Sequence, residues 1–95
     1  MKKHRFSGNV FRDVGFSPAE AENLRIRAML MVELKKHIQT EELTQKDAAK
    51  LFGVSQPRIS DLMRGKIALF SVDMLISMLT HAGLKVDVKV RRSAA

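Results

Sequence analysis

The side chains that could carry out covalent or metal chemistry are few and scattered along this 95-residue chain. Cysteine is absent, which excludes a disulfide scaffold, a thiolate zinc site and a cysteine nucleophile. The histidines His4, His37 and His81 are too far apart in the sequence to form a metal-binding motif. The sequence shows no paired carboxylates, no nucleophile with a base and no phosphate-cradling loop. We therefore expect a protein that is not an enzyme and requires no metal or cofactor.

Polar and basic side chains offer a different chemistry, the recognition of a polyanion. Lysine and arginine outnumber aspartate and glutamate by 17 to 10, which gives a net charge of +7. The surplus is concentrated in residues 1–5, 44–66 and 85–92. Guanidinium and amide groups can hydrogen-bond to base edges in the major groove of DNA, and basic side chains neutralise phosphates. The charge favours such a partner, although a well-solvated surface explains it equally well.

Helical start signals and apolar spacing predict a long first helix. Ser17-Pro18-Ala19-Glu20 forms a capping box with proline at the first helical position. The helical pattern then continues to about Gln39. Apolar side chains recur on one face of this helix, at Leu24, Ala28, Met31, Leu34 and Ile38.

Three shorter helices follow, each preceded by a hydroxyl-bearing cap. They begin after Thr44, Ser55 and Ser71, and they end at Phe52, Gly65 and Gly83. Apolar residues between the third and fourth helices are expected to plug the core, namely Ile67, Leu69 and Phe70.

The second and third helices are joined by a turn of residues 53–55, which is helix-turn-helix geometry. Gly53 can adopt the left-handed conformation that such a turn requires. Ala49, four residues earlier, lets the two helices approach each other, and Val54 fills the space between them.

Residues 45–65 carry the motif Gln-x-x-x-Ala-x-x-x-Gly-Val-Ser-Gln-x-x-Ile-Ser-x-x-x-x-Gly. This motif resembles the Xre/Cro family of phage-repressor-type helix-turn-helix domains. The resemblance implies an all-α, lambda-repressor-like domain of four main helices at residues 17–83, with the helix-turn-helix at 45–64. It also implies double-stranded operator DNA as the partner. Residues 9–16 of the arm at 1–16, the long first helix and the alternating strand within the C-terminal segment 84–95 are similar to small HigA-like proteins, in which an antitoxin role is the usual assignment.

The third helix is expected to read DNA bases. The resemblance and the outward face of the helix together indicate Gln56, Pro57, Arg58, Ser60 and Asp61. Gln56 leads the helix and can pair with adenine, whereas Pro57 replaces a polar residue and implies only an apolar contact. Asp61 has two open roles, because it could accept a hydrogen bond from cytosine or orient Arg58 or Arg64.

Phosphate contacts are assigned to helix amino ends and to the cations beside them. The expected residues are Gln45, Lys46, Ser55, Arg64, Lys66 and Ser71. His37 and His81 are expected to be surface or boundary residues without a specific role.

The C-terminal segment changes period, because Leu84, Val86, Val88 and Val90 alternate with polar residues. This alternation predicts a single β-strand. A lone strand cannot satisfy its backbone, so we expect antiparallel pairing with a second copy in a homodimer, or pairing with the arm.

A second apolar patch, Ile26, Met29 and Leu30, lies on the first helix away from its core face. The arm with its phenylalanines, a second subunit or a toxin could cover this patch. The longest apolar run, residues 28–32, is too short to cross a membrane, so a cytoplasmic protein without membrane association is expected.

These features predict a sequence-specific DNA-binding repressor, more specifically the antitoxin of a toxin–antitoxin pair that represses its own operon. A stand-alone or phage-type regulator shares every motif and lacks only the toxin. A protein-interaction module that binds through the first helix and the strand is the alternative from another class.

Overall fold

Each helix of the computed structural model, which describes residues 15–93, begins at a predicted cap. The elements are α1 (Pro18–Thr40), α2 (Gln45–Phe52), α3 (Gln56–Met63), a 3₁₀ turn (Ile67–Leu69) and α4 (Val72–His81). The hydroxyl groups of Ser17, Thr44, Ser55 and Ser71 each accept a hydrogen bond from the third residue of the helix that follows. The prediction of four main helices is therefore confirmed, and residues 1–14 of the arm lie outside the described residues.

One apolar core joins all four helices. Helix α1 packs against α4, α3 and the 3₁₀ turn, and α2 packs against α3 and α4. The buried side chains are Met31, Leu34, Ile38, Ala48, Ala49, Phe52, Ile59, Leu62, Phe70, Leu75, Met78 and Leu79. Burial of these apolar surfaces is the main stabilising contribution to a domain of this size.

The connection between α3 and α4 plugs the core through two of its three predicted residues. Phe70 is only 2% exposed and Ile67 packs against the buried cluster, whereas Leu69 is 46% exposed. The prediction for Leu69 is wrong because side chains three residues apart align in a 3₁₀ turn, so Ile67 and Phe70 share the inner side and Leu69 does not.

The C-terminal strand predicted over residues 84–90 is not shown, and residues 15–93 contain no strand. Leu84 and Val86 pack against the core, but Val88 is 79% exposed and Val90 is 91% exposed. A strand requires a partner for its backbone hydrogen bonds, and no strand of the described chain supplies one.

The C-terminal segment follows α1 instead. Leu84 and Val86 face Leu30 and the carboxyl half of α1 across a groove of about 430 Å³. The hydrogen bond from Arg25 is the main cause that lowers the pKa of Glu22 near the start of α1, and the positive charge of Arg91, further along the C-terminal segment, lowers it to a smaller extent. The segment therefore runs back along α1 towards the amino end of that helix.

This path divides the apolar patch that the sequence treats as one surface. Leu30 packs against the core and lines the groove beside the C-terminal segment, and Ile26 is half-buried. Met29 is 55% exposed. The chain's own C-terminal segment thus covers part of the patch. From the sequence alone, this cover is expected to come from the arm, a second subunit or a toxin.

Within residues 15–93, no helix combines the length and apolar character needed to cross a lipid bilayer.

Candidate nucleic-acid interface

The turn between α2 and α3 has the predicted geometry. Gly53 adopts the left-handed conformation with φ 69°, and its N–H donates to the carbonyl oxygen of Ala49. The N–H of Val54 donates to the same carbonyl at 3.0 Å. Ala49 is buried at this point, as expected for a small side chain between two close helices. The turn sets the angle at which α3 leaves α2.

His81, the last residue of α4, contacts the end of α2 and lies beside Gly53 of this turn. Its Nδ1 lies 2.9 Å from the carbonyl oxygen of Leu51, close to the end of α2. A Cβ atom on Gly53 would lie 2.8 Å from Cδ2 of the same ring. Sequence reasoning missed this role, because a lone histidine that bonds to a distant carbonyl has no local pattern.

His37, also expected to have no specific role, contacts the core. Its ring packs edge-on against Phe52, with 6.0 Å between the ring centroids. The contact joins α1 to the last residue of α2, so both histidines of the described chain contact the carboxyl end of that helix.

The predicted base-reading residues differ in how freely they meet solvent. Gln56 and Pro57, on the first turn of α3, are exposed. Arg58, Ser60 and Asp61 are half-buried. The first two residues can therefore enter a groove without rearrangement.

Arg58 is bound to its own chain. Its guanidinium Nη1 donates to the carbonyl oxygen of Leu69 at 3.0 Å, and its Cζ lies 5.4 Å from the centroid of the Phe70 ring. This position combines a charge-assisted hydrogen bond with a cation–π contact. To read a base through Nη1, Arg58 would have to leave Leu69.

Asp61 pairs with a residue that the sequence did not indicate. Its Oδ1 lies 3.8 Å from Nζ of Lys66, rather than beside Arg58 or Arg64. The backbone N–H of Lys66 also donates to the Asp61 carbonyl oxygen, at 3.1 Å. The carboxylate therefore lies beside a cation that was predicted to bind phosphate.

The predicted phosphate-binding residues occupy three helix ends and one helix exit. Gln45 and Lys46 lie exposed on the first turn of α2, and Arg64 and Lys66 lie exposed after α3. Ser55 and Ser71 cap α3 and α4, where each Oγ accepts from a backbone N–H and its own hydroxyl hydrogen stays available to an anion.

Side-chain contacts join some of these groups to the segment between α3 and α4. Contacts from Arg58 to Leu69 and Phe70 connect the first turn of α3 to the residues directly before Ser71. The Asp61–Lys66 pair connects the end of α3 to the same segment.

In residues 15–93, no group of histidine, aspartate and glutamate side chains is arranged to hold a metal ion.

A family model described as a helix-turn-helix domain matches residues 10–91. The chain belongs to this helix-turn-helix domain family. The match includes all four helices and most of the C-terminal segment, so α2, the turn and α3 form the motif for which the family is named.

One solved structure with a related fold is that of a protein assigned to the XRE family of transcriptional regulators. It superposes with a TM-score of 0.71 and 29% sequence identity, over 79% of this helix-turn-helix chain and 84% of the other. No curated protein matches the sequence. The Xre-type fold expected from the motif is thus supported by both the family model and the structural neighbour.

Proposed function

We propose that this protein is a sequence-specific DNA-binding transcriptional regulator that acts as a repressor. The observation that carries the proposal is the amino-terminal turn of α3, where Gln56 and Pro57 are exposed at the front of a capped helix in a helix-turn-helix unit. A helix in this setting enters the major groove with its first residues at the base edges. Gln56 is then placed to bond to adenine through its amide group, and Pro57 to contact a thymine methyl.

The groups around α3 supply the contacts that position the protein without reading sequence. The helix amino ends at Gln45, Ser55 and Ser71 present N–H groups and a positive dipole end to phosphates. Lys46, Arg64 and Lys66 add exposed positive charge. Since Lys66 lies near Asp61, the net charge that it offers to DNA is smaller than that of Lys46.

A homodimer is the second part of the proposal. One recognition helix reads only a few base pairs, and useful affinity requires two helices about 34 Å apart along the duplex. The outer half of the C-terminal segment, with Val88 and Val90 exposed, is available for antiparallel pairing with its copy. Such pairing would bury the two side chains that the single chain leaves in solvent.

The more specific form of the proposal is that the regulator is the antitoxin of a toxin–antitoxin pair and represses its own operon. It is supported by the similarity of the arm and flanking segments to HigA-like proteins and by Met29 and Val32, which remain exposed on α1. A stand-alone regulator would have the same DNA interface. A neighbouring reading frame for a small basic ribonuclease-like protein, and co-purification with its product, would distinguish the two.

The DNA-binding proposal is tested by footprinting on the region upstream of the protein's own gene and by selection of duplexes from a random pool. Gln56→Ala is expected to reduce discrimination at one base pair by about 1–3 kcal/mol. The matched control is Gln39→Ala, because Gln39 is an exposed glutamine near the end of α1. Failure to select any duplex, or equal effects of the two variants, would contradict the proposal and favour a protein-interaction module.

A further inference from the structure

The segment between α3 and α4 is held by two arginines from different helices. Arg58 of α3 donates to the carbonyl oxygen of Leu69 at 3.0 Å. Arg27 of α1 donates through Nη1 to the carbonyl oxygens of Ile67 and Phe70, both at 3.2 Å. Three of the four carbonyl groups in residues 67–70 therefore accept a charge-assisted hydrogen bond from a guanidinium group.

Both guanidinium groups are themselves fixed. The Nε of Arg27 donates to the side-chain oxygen of Asn23 at 2.7 Å, one turn earlier on α1. The guanidinium of Arg58 lies over the ring of Phe70, which is one of the largest fully buried side chains. A planar guanidinium with several donors can bridge two carbonyls or stack on a ring, whereas a lysine ammonium cannot do either in the same way.

The residue that follows this segment is Ser71, whose Oγ caps α4 by accepting from the N–H of Met74 at 3.1 Å. Any rotation of residues 67–70 would therefore change the direction of the amino end of α4 relative to the first turn of α3. These two helix ends are the ones that we assign to phosphate contact and to base contact.

We infer that Arg27 and Arg58 are positioning residues that set the amino end of α4 relative to the recognition helix, and that Arg58 keeps its bond to Leu69 when DNA is bound. The inference rests on the proposed DNA-binding function. It replaces the expectation that Arg58 reads a base, because the guanidinium already has a carbonyl partner and an aromatic partner within the domain.

Substitution of either arginine is expected to have the same effect on DNA binding, although the two residues lie on different helices. Arg27 is not on α3 and bonds to the inner carbonyls, so it has no direct path to a base edge. A base-reading role predicts an effect of Arg58 alone, at one base pair. A positioning role predicts that loss of either arginine weakens contact with the same backbone phosphates, while preference among base pairs stays unchanged.

The test uses the full chain and a duplex that the wild-type protein selects from a random-sequence pool. Arg27→Met and Arg58→Met keep most of the side-chain volume and remove the guanidinium. Each is expected to weaken binding about tenfold, the size of one lost charge-assisted contact. Phosphate ethylation interference is expected to show the same lost positions for both. The matched control is Arg25→Met, since the salt bridge of Arg25 goes to Glu22 within α1.

A double-mutant cycle with Ser71→Ala identifies the route of the effect. If the arginines act through the amino end of α4, Arg58→Met adds less than about twofold once Ser71 has been removed. Should Arg58→Met fail to fold, Arg58→Lys keeps one donor for Leu69 and is expected to give a weaker form of the same interference pattern.

Three results would overturn the inference. A change of base preference with Arg58→Met, together with wild-type binding by Arg27→Met, would show that Arg58 leaves Leu69 to read a base. A lower melting temperature with unchanged affinity in both variants would show that the tethers only stabilise the fold. If the wild-type protein selects no duplex, the proposed function itself fails, and with it the need for a positioned recognition helix.

Discussion

A methyl group added at Gly53 tests how α4 supports the turn before the recognition helix. Two separate penalties are expected for Gly53→Ala. The left-handed backbone at φ 69° is unfavourable for alanine, by about 1–2 kcal/mol. The new Cβ would also lie 2.8 Å from Cδ2 of His81, far inside van der Waals contact. The His81 ring is exposed and can swing outwards, so the second penalty is the loss of its hydrogen bond to Leu51, about 1 kcal/mol.

The free energy of unfolding is therefore expected to fall by about 2–3 kcal/mol for Gly53→Ala. In a His81→Ala background the same change should lower it by only about 1–2 kcal/mol, because the ring is already gone. The difference is a coupling energy of about 1 kcal/mol, which double-mutant cycles resolve. Each kcal/mol corresponds to a melting-temperature shift of roughly 4–8 °C in a domain of this size. Denaturant unfolding and thermal melting of the four proteins supply the measurement.

Gly65 provides the matched control. It has a similar conformation at φ 71°, but a Cβ added there would meet no atom within 4 Å. Gly65→Ala should therefore show the conformational penalty alone, and His81→Ala should not alter it. If Gly53→Ala destabilises no more than Gly65→Ala, or if its effect is the same with and without His81, the contact between α4 and the turn does not constrain Gly53.

Three further predictions concern the core, the first cap and the C-terminal segment. Phe70→Ala should lower the free energy of unfolding by about 3–5 kcal/mol in denaturant melts, whereas Leu69→Ala should change it little because that side chain is half exposed. The pKa of Glu20 is lowered chiefly by the hydrogen bond with the hydroxyl of Ser17 and secondly by the bond from the Ser17 N–H. The contribution of the Glu20 carboxylate to the stability of the fold is therefore complete above the ordinary glutamate pKa and disappears as the pH falls through the lowered value. The melting-temperature difference between wild type and Glu20→Ala should accordingly shrink below about pH 4, and a constant difference would contradict this reasoning. Changing Val88 and Val90 together to Asp should give monomers in sedimentation whose melting temperature no longer depends on protein concentration, and a persistent dimer would place the interface elsewhere.

The parts of the fold that could be predicted from sequence are those whose partners are close in the chain. Ser17, Thr44, Ser55 and Ser71 each bond three residues ahead, so the cap and the group that it satisfies appear in one short pattern. The left-handed Gly53 is likewise indicated by its position directly after an apolar helix. Local chemistry of this kind leaves a mark on residue types.

The contacts that sequence reasoning missed are hydrogen bonds to backbone carbonyls that lie far away in the sequence. Arg27 reaches Phe70 across 43 residues, and His81 reaches Leu51 across 30. Because every residue carries a carbonyl group, the accepting position has no characteristic side chain. The donor alone is visible in the sequence, and a basic residue on a helix is more often a solvated surface group.

In the C-terminal segment the predicted alternation of side chains is present at residues 84–87, but the predicted strand is not shown. Alternation at residues 84–90 predicts that side chains point in opposite directions in turn, and Leu84 and Val86 do face the core while Lys85 and Asp87 are exposed. The same period arises when a chain lays alternate side chains into a groove. Hydrogen-bond pairing, which defines a strand, depends on a partner that the pattern does not contain.

The placement of Arg58 narrows what one recognition helix can read. Helix α3 has eight residues, too few to be stable in isolation, so its orientation depends on the domain that holds it. If Arg58 is retained for this purpose, the freely exposed groups on its first turn are Gln56 and Pro57, which can specify little more than an adenine and a thymine methyl. In the proposed homodimer, a second copy would repeat this short contact at a fixed spacing and so add to the discrimination among operators. A rigidly held α3 suits such a dimer. If one recognition helix had the wrong orientation within its domain, the recognition helix of the second copy would also be displaced from the bases that it contacts.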